Sequence, residues 1–187
     1  MQDLVRFLHE VGHLKRVART GWWVAGVRDP ESVAEHSFRA AWIGYLLASR
    51  DGAADPARVV LMCLANDLHE ARINDLHKIG QAYLDYPAAE TKAFRDQAAS
   101  VAEGEALLDV HREFQAGETP EARIARDADR LECAFQAIEY IYEGHAPCRS
   151  WVENTRPALR TEVGRALFAA LIAAEPGVWF REAPRVP

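Results

Sequence analysis

The sequence predicts an all-α bundle of about six or seven helices. Three observations carry that expectation. Almost every long segment repeats its apolar residues at helical spacing, and no run alternates as a half-buried strand would. Capping and breaking residues stand where the periodic segments meet. The apolar fraction of 49% over 187 residues is ample for the core of one domain, taken here as residues 1–187.

The elements follow in order. Leu4, Leu8, Val11 and Leu14 give a first helix one apolar stripe. Gly21, Gly26 and Pro30 interrupt the pattern, so Thr20 to Pro30 reads as a loop carrying Trp22 and Trp23. Ser32 with Glu35 three residues on forms a capping box. The helix it opens is expected to reach about Ser49 and to bury Phe38, Ala41, Trp42, Tyr45 and Leu46. Asp51-Gly52 ends it, and Asp55-Pro56 supplies the next cap and first turn.

The segment from Val59 reads Val-Val-Leu-Met-Cys-Leu-Ala-Asn-Asp-Leu-His-Glu-Ala. It predicts a helix to about Arg72, apolar on nearly every side and therefore buried. Ile73 to Tyr86 is irregular or one short turn. Pro87 to about Phe114 predicts a longer, more polar helix. Gly117 to Pro120 is a turn, and Thr119-Pro120 opens a helix to about Glu143. Gly144 to Pro147 breaks the chain before a last helix, Pro157 to Ala174. The tail after Pro176 has no regular signal, with Val178, Trp179 and Phe180 available to dock on the body.

Charge and composition exclude several roles. A net charge of -6 argues against a broad grip on a nucleic acid polymer. No apolar run approaches the ~20 residues of a membrane span. The first residues lack the basic start and apolar core of a signal peptide, which points to the cytoplasm. Cys63, Cys133 and Cys148 form no C-x-x-C pair and read as reduced thiols, with no zinc thiolate site.

The informative oddity is Asp67, a carboxylate set in the most apolar helix. Such a group is costly unless it is paired, hydrogen-bonded or bound to metal. His36, Asn66, Glu70 and Asp129 also fall on helices with a firm core side, and Glu70 lies at i+4 from Asn66, on the same face. A divalent cation is a natural reason for such groups to converge, and imidazole with carboxylate suits manganese, cobalt, iron or zinc. Each has a structural alternative. His36 reads equally as a satisfied cap or core histidine, and Asp67 as a hydrogen-bonded structural carboxylate. Asp129 fits the solvated pattern of Arg126, Asp127 and Arg130, and Glu70 and Arg72 fit ordinary surface ions. The remaining histidines, His69 and His111 among them, read as mostly surface residues.

Three blocks, taken in order, resemble the HD-domain metal-dependent phosphohydrolases, and within them the branch of 5′-deoxynucleotidases. They are Leu14 to Trp22 with Pro30 to Ser37, then Asn66 to Leu76, then Ala128 to Glu132. The resemblance implies one divalent metal ion (manganese, cobalt, iron, magnesium or zinc) held by His36, Asn66, Asp67 and Asp129. It implies that Glu70 positions or activates the attacking water. It also implies that Asp75 contacts the sugar 3′-hydroxyl, and that Arg19 and Trp22 serve phosphate binding and rejection of ribose. Lys78 and His77 are weaker candidates for the rim. The implied substrate is a deoxynucleoside monophosphate, and the implied assembly a homodimer.

Two positions depart from the family pattern. Its ligand pair is His-Asp, where this chain has Asn66-Asp67; an amide oxygen is a weaker, neutral ligand. Its loop reads Gly-Asp, where this chain has Asn74-Asp75, and Asn is the residue after glycine that best tolerates a left-handed backbone. The Asn66 departure leaves open a nucleotide-binding or regulatory protein without catalysis. A purely helical interaction module is the weaker third reading.

Overall fold

The protein's structure, a computed structural model, describes residues 1–184; positions 185–187 of the expected domain lie outside them. The chain begins with α1 (Gln2–His13), a 3₁₀ turn (Leu14–Arg16) and a short α2 (Gly21–Val24). Next come α3 (Val33–Asp51), α4 (Pro56–Ala65), α5 (Glu70–Ile73) and α6 (Lys78–Gln81). Then follow α7 (Tyr86–Ala98), α8 (Gly104–Ala116) and α9 (Pro120–Tyr142). A second 3₁₀ turn leads to α10 (Arg149–Ala158), α11 (Glu162–Ala173) and α12 (Val178–Glu182). Among the described residues β pairing is limited to one isolated bridge, Ala18 to Ser32, and the all-α expectation holds.

The caps work as expected. Ser32 accepts from the Glu35 backbone while Glu35 reaches back to Ser32, and Asp55 and Thr119 cap α4 and α9 ahead of Pro56 and Pro120. Helix α3 packs most heavily on α4 and α9, which also pack on each other. Their contact is made of small residues, Ala40, Ala41, Gly44, Ala48, Ala125 and Ala128 among them. At Gly44 a Cβ would stand 2.8 Å from Val59 Cγ1 and 3.0 Å from Cys63 Sγ, so the approach of α3 to α4 requires glycine.

That small-residue face corrects the expected orientation of α3. Ala41 is buried, but Phe38 and Trp42 are 64% and 55% exposed, and Tyr45 and Leu46 also face outward. The helix has two apolar faces, and the one that allows the closest helix approach is turned inward. Helix α4 is likewise not buried all round, since Leu61 and Leu64 are exposed. Leu4 and Leu8 of α1 are exposed too; that helix docks through Phe7 and Val11.

Other boundaries differ from expectation. The loop carrying Trp22 contains the single turn α2. The polar helix expected from Pro87 divides at Ala99, because α8 starts so close to Ala98 that a Cβ on Gly104 would lie 2.1 Å from its carbonyl oxygen. The last expected helix, Pro157 to Ala174, is α11 and starts only at Glu162; α10, which was not expected, ends at Ala158, with Leu159 extended between them. Trp179 and Phe180 meet edge to face in α12 and stay exposed, so the tail does not dock through them.

Candidate active site

The main departure within α4 makes the site. Helix α4 stops at Ala65 and does not run to Arg72. The next backbone bonds tighten to i→i−3: Leu68 to Ala65 at 3.2 Å, Glu70 to Asp67 at 3.0 Å, Arg72 to His69 at 2.9 Å. The tightened turn places Asp67 and Glu70 on one wall of a cavity of about 1050 Å³. His69 is buried, not on the surface, and its Nδ1–H donates to the freed Asn66 carbonyl at 3.1 Å. His111 is also buried, stacked 4.0 Å from the Phe94 ring.

Three segments bring their polar groups together. His36 from α3 places Nε2 3.0 Å from Asp129 Oδ1 of α9 and 3.5 Å from Asp67 Oδ2. One ligating atom from each of the three lies within 4.8 Å of the others. Arg19 holds Nη1 3.6 Å from Asp67 and Nε 3.8 Å from Asp75, and its Nη2 donates to Cys133 Sγ at 3.3 Å. Asn66 Nδ2 donates to Asp67 Oδ1 at 2.8 Å. The sequence-predicted residues His36, Asn66, Asp67, Glu70, Asp75, Arg19 and Asp129 therefore stand together, and His77 and Lys78 line the same cavity.

Trp22 is placed differently from the rest. It is 2% exposed, its indole N–H donates to Glu31 at 3.0 Å, and Trp151 and Tyr140 pack on its faces. It belongs to a second core cluster at the cavity wall, whereas Trp23 beside it is exposed. Asp75 accepts from the Thr20 backbone at 3.1 Å, which ties the α2 segment to the α5–α6 loop. Asn74 before it has φ 61 and ψ 162. The positive φ meets expectation, but that ψ is the region glycine alone adopts easily, and the strain is on the order of 1–3 kcal/mol.

Glu132 is the functional residue that sequence reasoning missed. It lies within the third block, one turn beyond Asp129 and on the same side of α9. His36 Nδ1 bonds its fully buried carboxylate. Arg39 donates to the other Glu132 oxygen at 3.0 Å and is itself held by Glu139 and Gln136. Asp127, read as part of a solvated pattern, is buried and structural: it accepts from the backbones of Arg160 and Thr161 and from the Thr161 hydroxyl.

The electrostatics follow from this crowding. Burial and Arg19 push the His36 pKa down, but Glu132 and Asp129 outweigh them and raise it well above the ordinary value. Burial pushes Asp129 up; the His36 hydrogen bond and charge, with Arg19 and Arg130, bring it below the usual range. Asp67 is raised by burial against the pull of Arg19 and His36. Glu70 is raised well above its ordinary value by burial, then by Asp67 and Asp75. Burial also lifts the Cys133 thiol to about 12, which keeps it protonated.

The donor set fits a divalent cation. Among the described residues Asp67 Oδ2 and Glu70 Oε2 are buried without a hydrogen-bond partner, a costly state that a cation or its water relieves. The Glu132 bond to Nδ1 leaves His36 Nε2 turned to Asp129 and Asp67, the orientation in which an imidazole could take a cation. Replacing Glu132 by Gln is expected to weaken divalent-ion binding roughly 10–100-fold, read by metal titration. Unchanged affinity would mean that the ring needs no carboxylate to orient it.

The sequence profile of the HD domain matches residues 11–167. The chain is 31% identical over 149 residues to a Danio rerio protein named 5′-deoxynucleotidase HDDC2, covering 75% of this chain and 70% of that one. A conserved hypothetical protein from Pyrococcus furiosus superposes with a TM-score of 0.77 at 29% identity, over 91% of this chain and 99% of that one. A Magnetospirillum magnetotacticum protein described as a predicted metal-dependent phosphohydrolase superposes with a TM-score of 0.73 at 26% identity, over 92% and 90%. The chain belongs to the HD-domain family. It shares most of its length with proteins of the 5′-deoxynucleotidase branch.

Proposed function

We propose that the protein is a metal-dependent phosphomonoester hydrolase that removes the 5′-phosphate of deoxynucleoside monophosphates. The observation that carries this reading is the convergence of His36, Asp67 and Asp129, from three separate segments, on one cavity wall beside Glu70 and Arg19. His36, Asp67 and Asp129 would hold the divalent ion, with the Asn66 amide oxygen as a fourth, weaker donor. When bound, the ion supplies charge neutralisation at the phosphate and a more acidic water. Two carboxylates and an amide oxygen favour harder ions such as magnesium or manganese over zinc.

The chain's own groups do the rest. Glu70, buried on the wall that carries Asp67, accepts the water proton. Arg19 contacts the phosphate with a charge-assisted bond. Asp75 accepts the sugar 3′-hydroxyl. The rigidly packed Trp22 forms the wall that leaves no room for a ribose 2′-hydroxyl. The direct test is phosphate release from dAMP, dTMP and AMP with manganese, cobalt or magnesium. The expected result is release from the deoxynucleotides in excess of AMP; none above blank with any metal overturns the reading.

A second reading, a nucleotide-binding or regulatory protein without catalysis, is favoured by one observation: the Asn66 amide is spent on Asp67. It shares the fold and the cavity and differs only in the chemistry.

The reading treats residues 1–187 as one HD domain. It places the protein in the cytoplasm, in keeping with three free cysteines. Among the described residues no helix is long and apolar enough to cross a membrane. The homodimer forms through the outward face of α3. Phe38, Trp42, Tyr45 and Leu46, each about half exposed, leave roughly 300–500 Å² of apolar surface, enough for the centre of an interface of ~800 Å² per partner. Leu61 and Leu64 on the neighbouring α4 extend it. Trp42→Glu is expected to convert a dimer into a monomer by analytical ultracentrifugation. A wild-type monomer at micromolar concentration would remove the dimer from the proposal.

A further inference from the structure

The cations around the cavity are not equivalent. Arg19 already faces two carboxylates, Asp67 at 3.6 Å and Asp75 at 3.8 Å, and donates to Cys133 Sγ. Arg126 and Arg130 line the same cavity, one helical turn apart on α9 and flanking Asp129 in the sequence. Among the described residues neither guanidinium donates a hydrogen bond to any protein acceptor. Arg130 Nη1 is buried without a partner, and Asp127 Oδ1, its nearest carboxylate oxygen, is 3.8 Å away. That carboxylate is already committed to the Arg160 and Thr161 backbones and to the Thr161 hydroxyl. Arg126 has no ion pair and lies 5.8 Å over the Phe114 ring. Glu90 faces the same lobe, but Gln115 already donates to its carboxylate at 2.5 Å.

Each guanidinium carries five N–H donors in a planar fork that matches phosphate oxygens. Two such forks on one wall, with the nearby carboxylates engaged elsewhere, concentrate positive charge where water is the alternative partner. Burial first, then the Arg130 and Arg160 charges, lower the Arg126 pKa against the opposing pull of Asp129. The cavity, at about 1050 Å³, lies at the upper end of the ~300–1,000 Å³ of small-molecule sites. It extends well past the residues that would hold one phosphate.

We infer that Arg126 and Arg130 form a second anion subsite, which holds a second phosphate carried by the nucleotide whose 5′-phosphate lies at His36, Asp67 and Asp129. The inference rests on the nucleotide reading above but not on catalysis. The second phosphate has two sources, a 5′-diphosphate or a 3′,5′-bisphosphate, which share the chemistry that the arginines recognise.

The experiment is equilibrium binding by calorimetry in metal-free buffer, with dAMP, dADP and 2′-deoxyadenosine 3′,5′-bisphosphate as probes. Wild-type protein is expected to bind one of the two doubly phosphorylated probes roughly 10–100-fold more tightly than dAMP; which one identifies the source. The double variant Arg126→Gln/Arg130→Gln should lose that advantage while keeping its affinity for dAMP. Arg130→Lys, which keeps the charge, should retain part of it. Equal binding of all three probes by wild type overturns the inference, as does uniform weakening of all three in the double variant. Melting curves of both variants confirm folding. Selective binding without phosphate release would sink the hydrolase and leave the subsite standing; dAMP hydrolysis without selectivity would do the reverse.

Discussion

Replacing Asp67 by Asn is expected to lower phosphate release at least ~10³-fold, the scale of several kcal/mol of lost charge stabilisation, with the fold retained. The carboxylate stands at the centre of the site, 3.5 Å from His36 Nε2 and 3.6 Å from Arg19 Nη1, with Oδ2 buried and free of hydrogen bonds. An amide of the same shape keeps the packing. It removes the carboxylate that lies within 3.6 Å of both His36 and Arg19, and Arg19 keeps its ion pair with Asp75. The helices it would disturb are held by capping and by the α3–α4–α9 contact, which does not involve Asp67. The measurement is phosphate release alongside melting with and without divalent ion. The metal-induced rise in melting temperature should disappear with the activity. A variant that keeps both would move the metal site elsewhere in the chain.

Asn66→His is expected to act in the opposite direction, tightening divalent-ion binding at least ~10-fold. Asn66 ends α4, half-buried at the cavity, with its Nδ2 turned to Asp67 Oδ1. An imidazole nitrogen there is a far stronger ligand for first-row ions than an amide oxygen. The substitution also frees Asp67 Oδ1 from a donor that competes with a cation. Metal titration followed by kcat at limiting manganese checks it. A gain at low metal that vanishes at saturating metal describes an enzyme with a weak metal site. Activity present only in the variant establishes the binding-protein reading for the natural chain. Weaker metal binding in the variant would mean that the Asn66 oxygen is a needed ligand in its own right.

Much of this was legible in the residues. Ser32 with Glu35, Asp55-Pro56 and Thr119-Pro120 mark helix starts by local hydrogen bonding alone, and the structure places all three helices there. His36, Asp67 and Asp129 were legible because polar groups on apolar helices need partners. What was not legible depends on tertiary approach. Periodicity finds two apolar faces on α3 and cannot tell that the alanine and glycine face admits α4 and α9 most closely, so Phe38 and Trp42 were assigned inward. The end of α4 at Ala65 carries no proline or glycine; the turn is set by where Asp67 and His69 find partners. Glu132 reads as one more charge beside Arg130 until His36 and Arg39, more than ninety positions earlier in the chain, arrive against it.

Gly44 lies two turns beyond His36 on α3, at the point where α3 crosses α4, and α4 runs directly into Asp67. The gap between the two residues is therefore set by a position that bears no chemistry. Any side chain at Gly44 prises apart the two rods whose ends carry His36 and Asp67, and a displacement of a few tenths of an ångström at the crossing is carried along both. Tolerance to substitution in this protein is accordingly distributed by leverage. An interior methyl group far from the cavity can detune the site as thoroughly as the loss of a polar residue within it.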